Sequence, residues 1–121
     1  MECICVMKDI YKAISSFEEK FLATFGLSIN EAMVLCSLED KQLSSSEIAD
    51  GVGLKFSHTS KVIRSLENKS YIVRAIGASD KRYMLFYLSN AGKAKVNEIQ
   101  SQPLDIPELL QPVFHCKGIY V

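Results

Sequence analysis

Between Leu43 and Arg82 the chain reads LSSSEIADGVGLKFSHTSKVIRSLENKSYIVRAIGASDKR, and the order of its punctuation leaves few folds open. Ser44 and Glu47 form a capping box ahead of Ile48, Ala49 and Val52: the serine oxygen takes an orphan helix amide and the glutamate reaches back to the cap. Gly53 then stands where a left-handed residue ends a helix at least cost, and Leu54 folds back onto the core. A second helix starts within a few residues. Beyond it, two runs rich in β-branched and aromatic residues, Tyr71–Ile76 and Tyr83–Leu88, flank the turn-like Gly77–Arg82. Helix, short turn, helix and hairpin in that order suit a device that holds one helix against a nucleic-acid groove.

The second helix divides into two faces. Thr59, Val62, Ile63 and Leu66 fall at i, i+3, i+4 and i+7, an apolar stripe. Ser57, Lys61, Arg64 and Asn68 fall opposite, flanked by His58, Ser60 and Ser65. Short hydroxyls with one or two long cations are what the reading of base edges needs. A solvated amphipathic helix has the same outline, but here Glu67 is the only acid and it lies beside the apolar stripe. At the hairpin tip Lys81 and Arg82 are expected to reach a neighbouring minor groove, with Asp80 orienting the arginine.

Formal net charge is zero, yet it is unevenly spread. From Lys55 to Lys95 there are nine bases against two acids, a net of +7, so the remainder, with five bases and twelve acids, carries −7. A basic half within a neutral chain fits a DNA reader whose other half faces solvent or a partner. At 121 residues one core is expected, and with neither a membrane-length apolar run nor a secretory pattern at the amino terminus, a cytoplasmic location. Cys3, Cys5, Cys36 and Cys116 lack zinc-site spacing. Cys36, in an apolar helical run, is expected to be buried and reduced. Cys3 and Cys5 near one end could meet His115 and Cys116 near the other as a metal site or a redox pair, but neither Cys-x-Cys nor His-Cys has a spacing that fixes tetrahedral geometry, so the first expectation is no metal and no cofactor.

Outside the central stretch, Val6–Phe25 places Ile10, Ile14, Phe17 and Phe21 at helical spacing, a face suited either to core or to pairing with a second chain. Ser28 and Glu31 have the form of another capping box, starting a helix to about Glu39 with Ala32, Leu35, Cys36 and Leu38 as core. Ser89 caps a helix from Asn90 to about Gln100 that carries Lys93 and Lys95. Pro103, Pro107 and Pro112 keep any later helix short, while Val113, Phe114, Ile119 and Tyr120 call for a packing partner.

Laid out this way, Leu27 to Gly92 resembles the winged helix-turn-helix of the multiple-antibiotic-resistance regulator (MarR) family. The matching parts are the helix from Ser28 to Glu39 and the run Ser46 to Leu54. Leu66 and Glu67 with Arg74 match next, then Asp80 and Arg82 of the wing, and finally Leu88, Ser89 and Gly92. The resemblance implies a fold that is mainly α with a small antiparallel β hairpin. It implies a single domain over 1–121, with 27–95 as the DNA-binding core and 1–26 and 96–121 as dimerisation segments. It also implies a homodimer on a pseudo-palindromic double-stranded site, and in many members a repressor released by a small-molecule effector or by cysteine oxidation. Carried over by position, Ser57, His58, Ser60, Lys61 and Arg64 would be the reading helix, Arg82 the wing finger and Asp80 its orienting partner; the residues themselves add Lys55 and Lys69 as candidates for holding phosphates and Lys81 beside Arg82 at the tip. Three positions depart from the family pattern. Ser70 stands where glycine is usual, which predicts a turn that is strained or differently shaped. Lys55 replaces the usual serine, removing a cap and adding a cation. The carboxy terminus is short and proline-broken where the family has long dimerisation helices.

The first expectation is therefore a sequence-specific DNA-binding transcriptional regulator. The alternative, motivated by Ser70 and the shortened end, is a winged-helix interaction module that reads no DNA. Enzymatic activity is not expected: neither His58 nor His115 has a nearby acid in sequence to orient it, and no phosphate loop appears.

Overall fold

The computed structural model of the chain describes residues 2–76, 84–102 and 106–110. Apolar spacing of three to four residues carries α1 from Glu2 to Phe25, four residues earlier than Val6. There follow α2 (Ile29–Ser37), α3 (Ser45–Val52), α4 (Phe56–Asn68), β1 (Ile72–Ile76), β2 (Met84–Leu88), α5 (Asn90–Ser101) and a 3-10 turn at Glu108–Leu110. The expected class, mainly helical with one antiparallel hairpin, is what these elements form. They divide into two compact units, Met1–Ser28 with Pro103–Val121, and Ile29–Gln102.

In the first unit α1 carries a run of aromatic contacts, Phe17 to Phe21 with ring centroids 6.1 Å apart and Phe21 to Phe25 at 4.7 Å. Phe21 and Phe25 are buried, whereas Ile4, Met7, Tyr11 and Ile14 are exposed. The 3-10 turn lies against α1.

The second unit is built around Val34, Leu35, Leu38, Ile48, Ile63, Leu66, Ile72, Phe86, Leu88 and Val96, all buried. Each large aliphatic side chain taken from water there contributes roughly 1.5–3 kcal/mol. Helices α2, α3 and α4 pack on one another, and α5 lies against α2 and β2. The Ser44–Glu47 box forms as expected: the Glu47 amide donates to Ser44 Oγ at 3.2 Å and the Ser44 amide donates to Glu47 Oε1 at 2.9 Å. Gly53 closes α3 at φ 74°, and the Leu54 amide reaches back to the Ala49 carbonyl at 3.3 Å. Strands β1 and β2 pair antiparallel with Ile72 opposite Leu88 and Arg74 opposite Phe86. Leu43 adds a bridge on the other edge of β2, exchanging backbone hydrogen bonds with Phe86 at 2.8 and 3.1 Å, so α3 enters directly from the sheet.

Two expectations are corrected. Helix α2 stops at Ser37, because the Leu38 amide tightens onto the Leu35 carbonyl and Asp40 turns left-handed at φ 58°. Cys36 is exposed rather than buried, since one residue of helix rotation carries it off the stripe that holds Leu35. Even so, desolvation by neighbouring atoms, and secondarily the charge of Glu39, pushes its thiol pKa up.

Candidate nucleic-acid interface

Helix α4 is fixed from inside. Thr59, Val62, Ile63 and Leu66 are its buried residues, the four the periodicity selects. Thr59 is fully covered, and its hydroxyl is satisfied by donating to the Lys55 carbonyl at 3.0 Å. On the outer side Ser57, His58, Ser60, Lys61 and Arg64 are all exposed. Among the described residues none of these five side chains makes a hydrogen bond or ion pair with another part of the chain. Lys55 occupies the N-cap without a side-chain cap bond, and the first turn holds no acid. The positive end of the helix dipole is therefore open to an anion, with the exposed Lys55 as its N-cap residue.

One residue of this surface was not singled out from the sequence. Phe56, the first residue of α4, is 57% exposed. On a helical wheel it lies three residues before Thr59, where it reads as an extension of the buried stripe. The first turn leaves it outside, because no element of the described chain covers that end of the stripe.

Lys69 has a partner within the fold. Its ammonium donates to both carboxylate oxygens of Glu31, at 3.0 and 2.9 Å, and Ser65 Oγ donates to Glu31 Oε2 at 2.8 Å. Glu31 itself is buried. Lys69, its side chain still 38% exposed, thus ties the end of α4 to α2.

The residues after α4 set the hairpin against it. The Ser70 amide donates to the Glu67 carbonyl at 2.9 Å and the Tyr71 amide to the Leu66 carbonyl at 3.0 Å, the paired closure of a Schellman motif. Ser70 takes the left-handed position of that motif at φ 66°, where glycine is the usual residue. From the other side Ser89 Oγ donates to the Ser70 carbonyl at 2.7 Å and accepts from the Gly92 amide at 3.0 Å. The Ser89 amide donates to the Tyr71 carbonyl at 3.0 Å. A Cβ on Gly92 would collide with that same carbonyl oxygen, which accounts for glycine three residues after the serine. Arg74 on β1 clamps Glu67 of α4 through two parallel hydrogen bonds, Nε to Oε2 at 2.7 Å and Nη2 to Oε1 at 2.6 Å. The hydrogen bond to Glu67, then its charge, raise the Arg74 pKa, and the guanidinium also lies 5.7 Å from the Phe86 ring centroid.

These pairs redistribute the +7 of the central region. Lys69, Arg74 and Lys95, the last paired to Glu98 at 3.0 Å, are neutralised locally. Lys55, Lys61, Arg64 and Lys93 keep their charges open among the described residues. A groove of about 290 Å³ separates α4 from the hairpin, with Ser60 and Arg64 on one wall and Arg74 and Phe86 on the other. The wing residues Asp80, Lys81 and Arg82 lie outside the described residues, as do His115 and Cys116. Cys3 and Cys5 are exposed on α1.

Comparison with known proteins places this geometry in context. The family model for the transcriptional regulators SarA/Rot matches residues 16–99. An uncharacterized HTH-type transcriptional regulator of Bacillus subtilis strain 168, YwaE, is 26% identical over 104 residues, 82% of this chain. The chain spans 61% of the length of that relative. Among solved structures, a MepR-like protein complexed with pseudoligands superposes with a TM-score of 0.79 at 19% identity, covering 94% of this chain and 79% of that one. A MarR mutant from E. coli complexed with operator DNA superposes at 0.70 with 18% identity, covering 96% and 81%. At these identities the likeness is one of fold, and it bears out the winged helix-turn-helix expected from the sequence.

Proposed function

The chain belongs to the SarA/Rot family of transcriptional regulators, and from that membership we propose that it is a sequence-specific DNA-binding regulator. It acts as a homodimer on a pseudo-palindromic double-stranded site, as a repressor in the cytoplasm, by binding rather than by catalysis. The observation that carries this reading is the exposed, acid-free face of α4, with Ser57, His58, Ser60, Lys61 and Arg64 free of internal bonds among the described residues. Such a face supplies hydroxyl donors and cations to base edges and phosphates, while the opposite face anchors it. The DNA-bound state of the MarR mutant supports duplex DNA as the partner. Lys81 and Arg82 serve the adjoining minor groove with Asp80 as orienting residue, and Lys55 holds a phosphate at the start of α4. Pairing of two chains is supported by the exposed Ile4, Met7, Tyr11 and Ile14 of α1, whose 3-4-3 spacing is that of a helix–helix seam.

Selection of bound sequences from a random duplex pool tests the reading. A palindromic consensus is expected, with log affinity falling linearly in log salt by about 0.9 per phosphate contact. No saturable binding to any duplex at low salt would sink it. Lys61→Ala is expected to relax preference at one base position by about 1–3 kcal/mol. An equal loss on all sequences would remove Lys61 from base reading.

A further inference from the structure

Phe56 stands at the head of α4, 57% exposed, on the border between the buried stripe and the polar face, with the exposed Ser57 next in the chain and the exposed Ser60 one turn on. Helical Cβ atoms tilt toward the N-terminus, so a side chain in the first turn leans past the end of its helix. In a helix-turn-helix it is the N-terminal residues of the second helix that meet base edges. Four-residue spacing further sets Phe56, Ser60 and Arg64 in one row, about 6 Å apart along the axis. A ring in that row makes no hydrogen bond with a base edge. The apolar group that a major-groove wall offers it is the C5-methyl of thymine.

We propose that Phe56 is a specificity-determining residue that packs on a thymine methyl near the end of each half-site, an inference that rests on the DNA-reading role given above. The contact distinguishes thymine from cytosine at that position without a hydrogen bond. It complements Ser60 and Arg64, whose polar groups read positions further along the same row.

The experiment uses the full chain and a duplex recovered from the random pool, with each thymine replaced in turn by deoxyuridine, which removes only the methyl. Wild-type affinity is expected to fall about three- to tenfold at one position per half-site, as loss of a buried methyl contact implies. Phe56→Ala is expected to lose a similar factor on the thymine duplex and to be indifferent to that replacement. Should Phe56→Ala not fold, Phe56→Gln, which keeps helix propensity and loses the ring, makes the same comparison. The inference is overturned if deoxyuridine matters at no position for the wild type, or if the variant stays as sensitive as the wild type. A wild-type chain that binds no duplex at all overturns the DNA-reading proposal itself, whereas one that binds and ignores the methyls overturns only the role of Phe56.

Discussion

Ser70 carries the chain out of α4 at φ 66°, a conformation that sets a Cβ against the following carbonyl and that glycine adopts freely. The two hydrogen bonds that close the motif come from backbone amides, so removing the side chain leaves them intact. Ser70→Gly is therefore expected to stabilise the fold by about 1 kcal/mol, the left-handed strain removed less the added freedom of the unfolded chain. Urea denaturation measures it, and an unchanged or lowered midpoint would refute the strain. Cys36 gives a pH-dependent counterpart. Its folded pKa lies above the ordinary thiol value of 9.0, so the folded chain holds that proton more tightly than the unfolded one. Its contribution to stability is present below that range and is lost as pH rises through it. At pH 8 its alkylation, followed by peptide-resolved mass spectrometry, is expected to run slower in the folded chain than in urea. An equal or faster folded rate would show an activated thiol instead.

At the level of elements, the joint between α4, the hairpin and α5 is tightly fitted at Gly92. Gly92 and Gly51 make a paired test. Both are helical glycines, but a Cβ on Gly51 meets nothing within 4 Å, whereas one on Gly92 strikes the Tyr71 backbone carbonyl. Gly51→Ala is expected to stabilise by up to about 1 kcal/mol through helix propensity. Gly92→Ala is expected to destabilise by about 2 kcal/mol, because the obstacle is backbone and cannot turn aside. Thermal melts of the two variants decide it, and a neutral Gly92→Ala would mean that α5 shifts without cost. This joint also marks what the sequence discloses. Ser44 with Glu47, Gly53 and the stripe from Thr59 to Leu66 were legible because capping and periodicity act over three to seven residues. The partnership of Glu31 with Lys69 joins residues 38 apart, and no local signal announces that it will occupy the lysine. The bridge between Leu43 and Phe86 was hidden for the same reason, since Leu43 carries no strand pattern around it. Phe56 was missed because a wheel treats every turn alike, whereas the first turn of a helix has no neighbour to cover it.

For the whole molecule, the exposed Ile4, Met7, Tyr11 and Ile14 of α1 leave four large apolar residues on one stripe without cover among the described residues. A seam of this kind is expected to hold two chains together, and the melting temperature then rises with protein concentration. Tyr11→Glu, at the most exposed of the four, 73%, is expected to abolish that concentration dependence and to halve the mass by sedimentation. A dimer that survives the substitution would place the pairing surface elsewhere. The open charges on Lys55, Lys61 and Arg64 would still face a duplex in such a monomer, but without a second reading helix at fixed spacing the preference for a palindrome would go.

The separation of duties on α4 has a consequence for how such a chain diverges. Its inner residues hold the fold, while Ser57, Ser60, Lys61 and Arg64 bond to nothing else among the described residues. Replacing them leaves stability within about 0.5 kcal/mol, the usual range for exposed positions without partners. Mutation can therefore drift through the outer row while the inner row is held by selection on folding. After duplication, two copies of such a gene could come to address different operators within a few substitutions, neither passing through an unfolded ancestor.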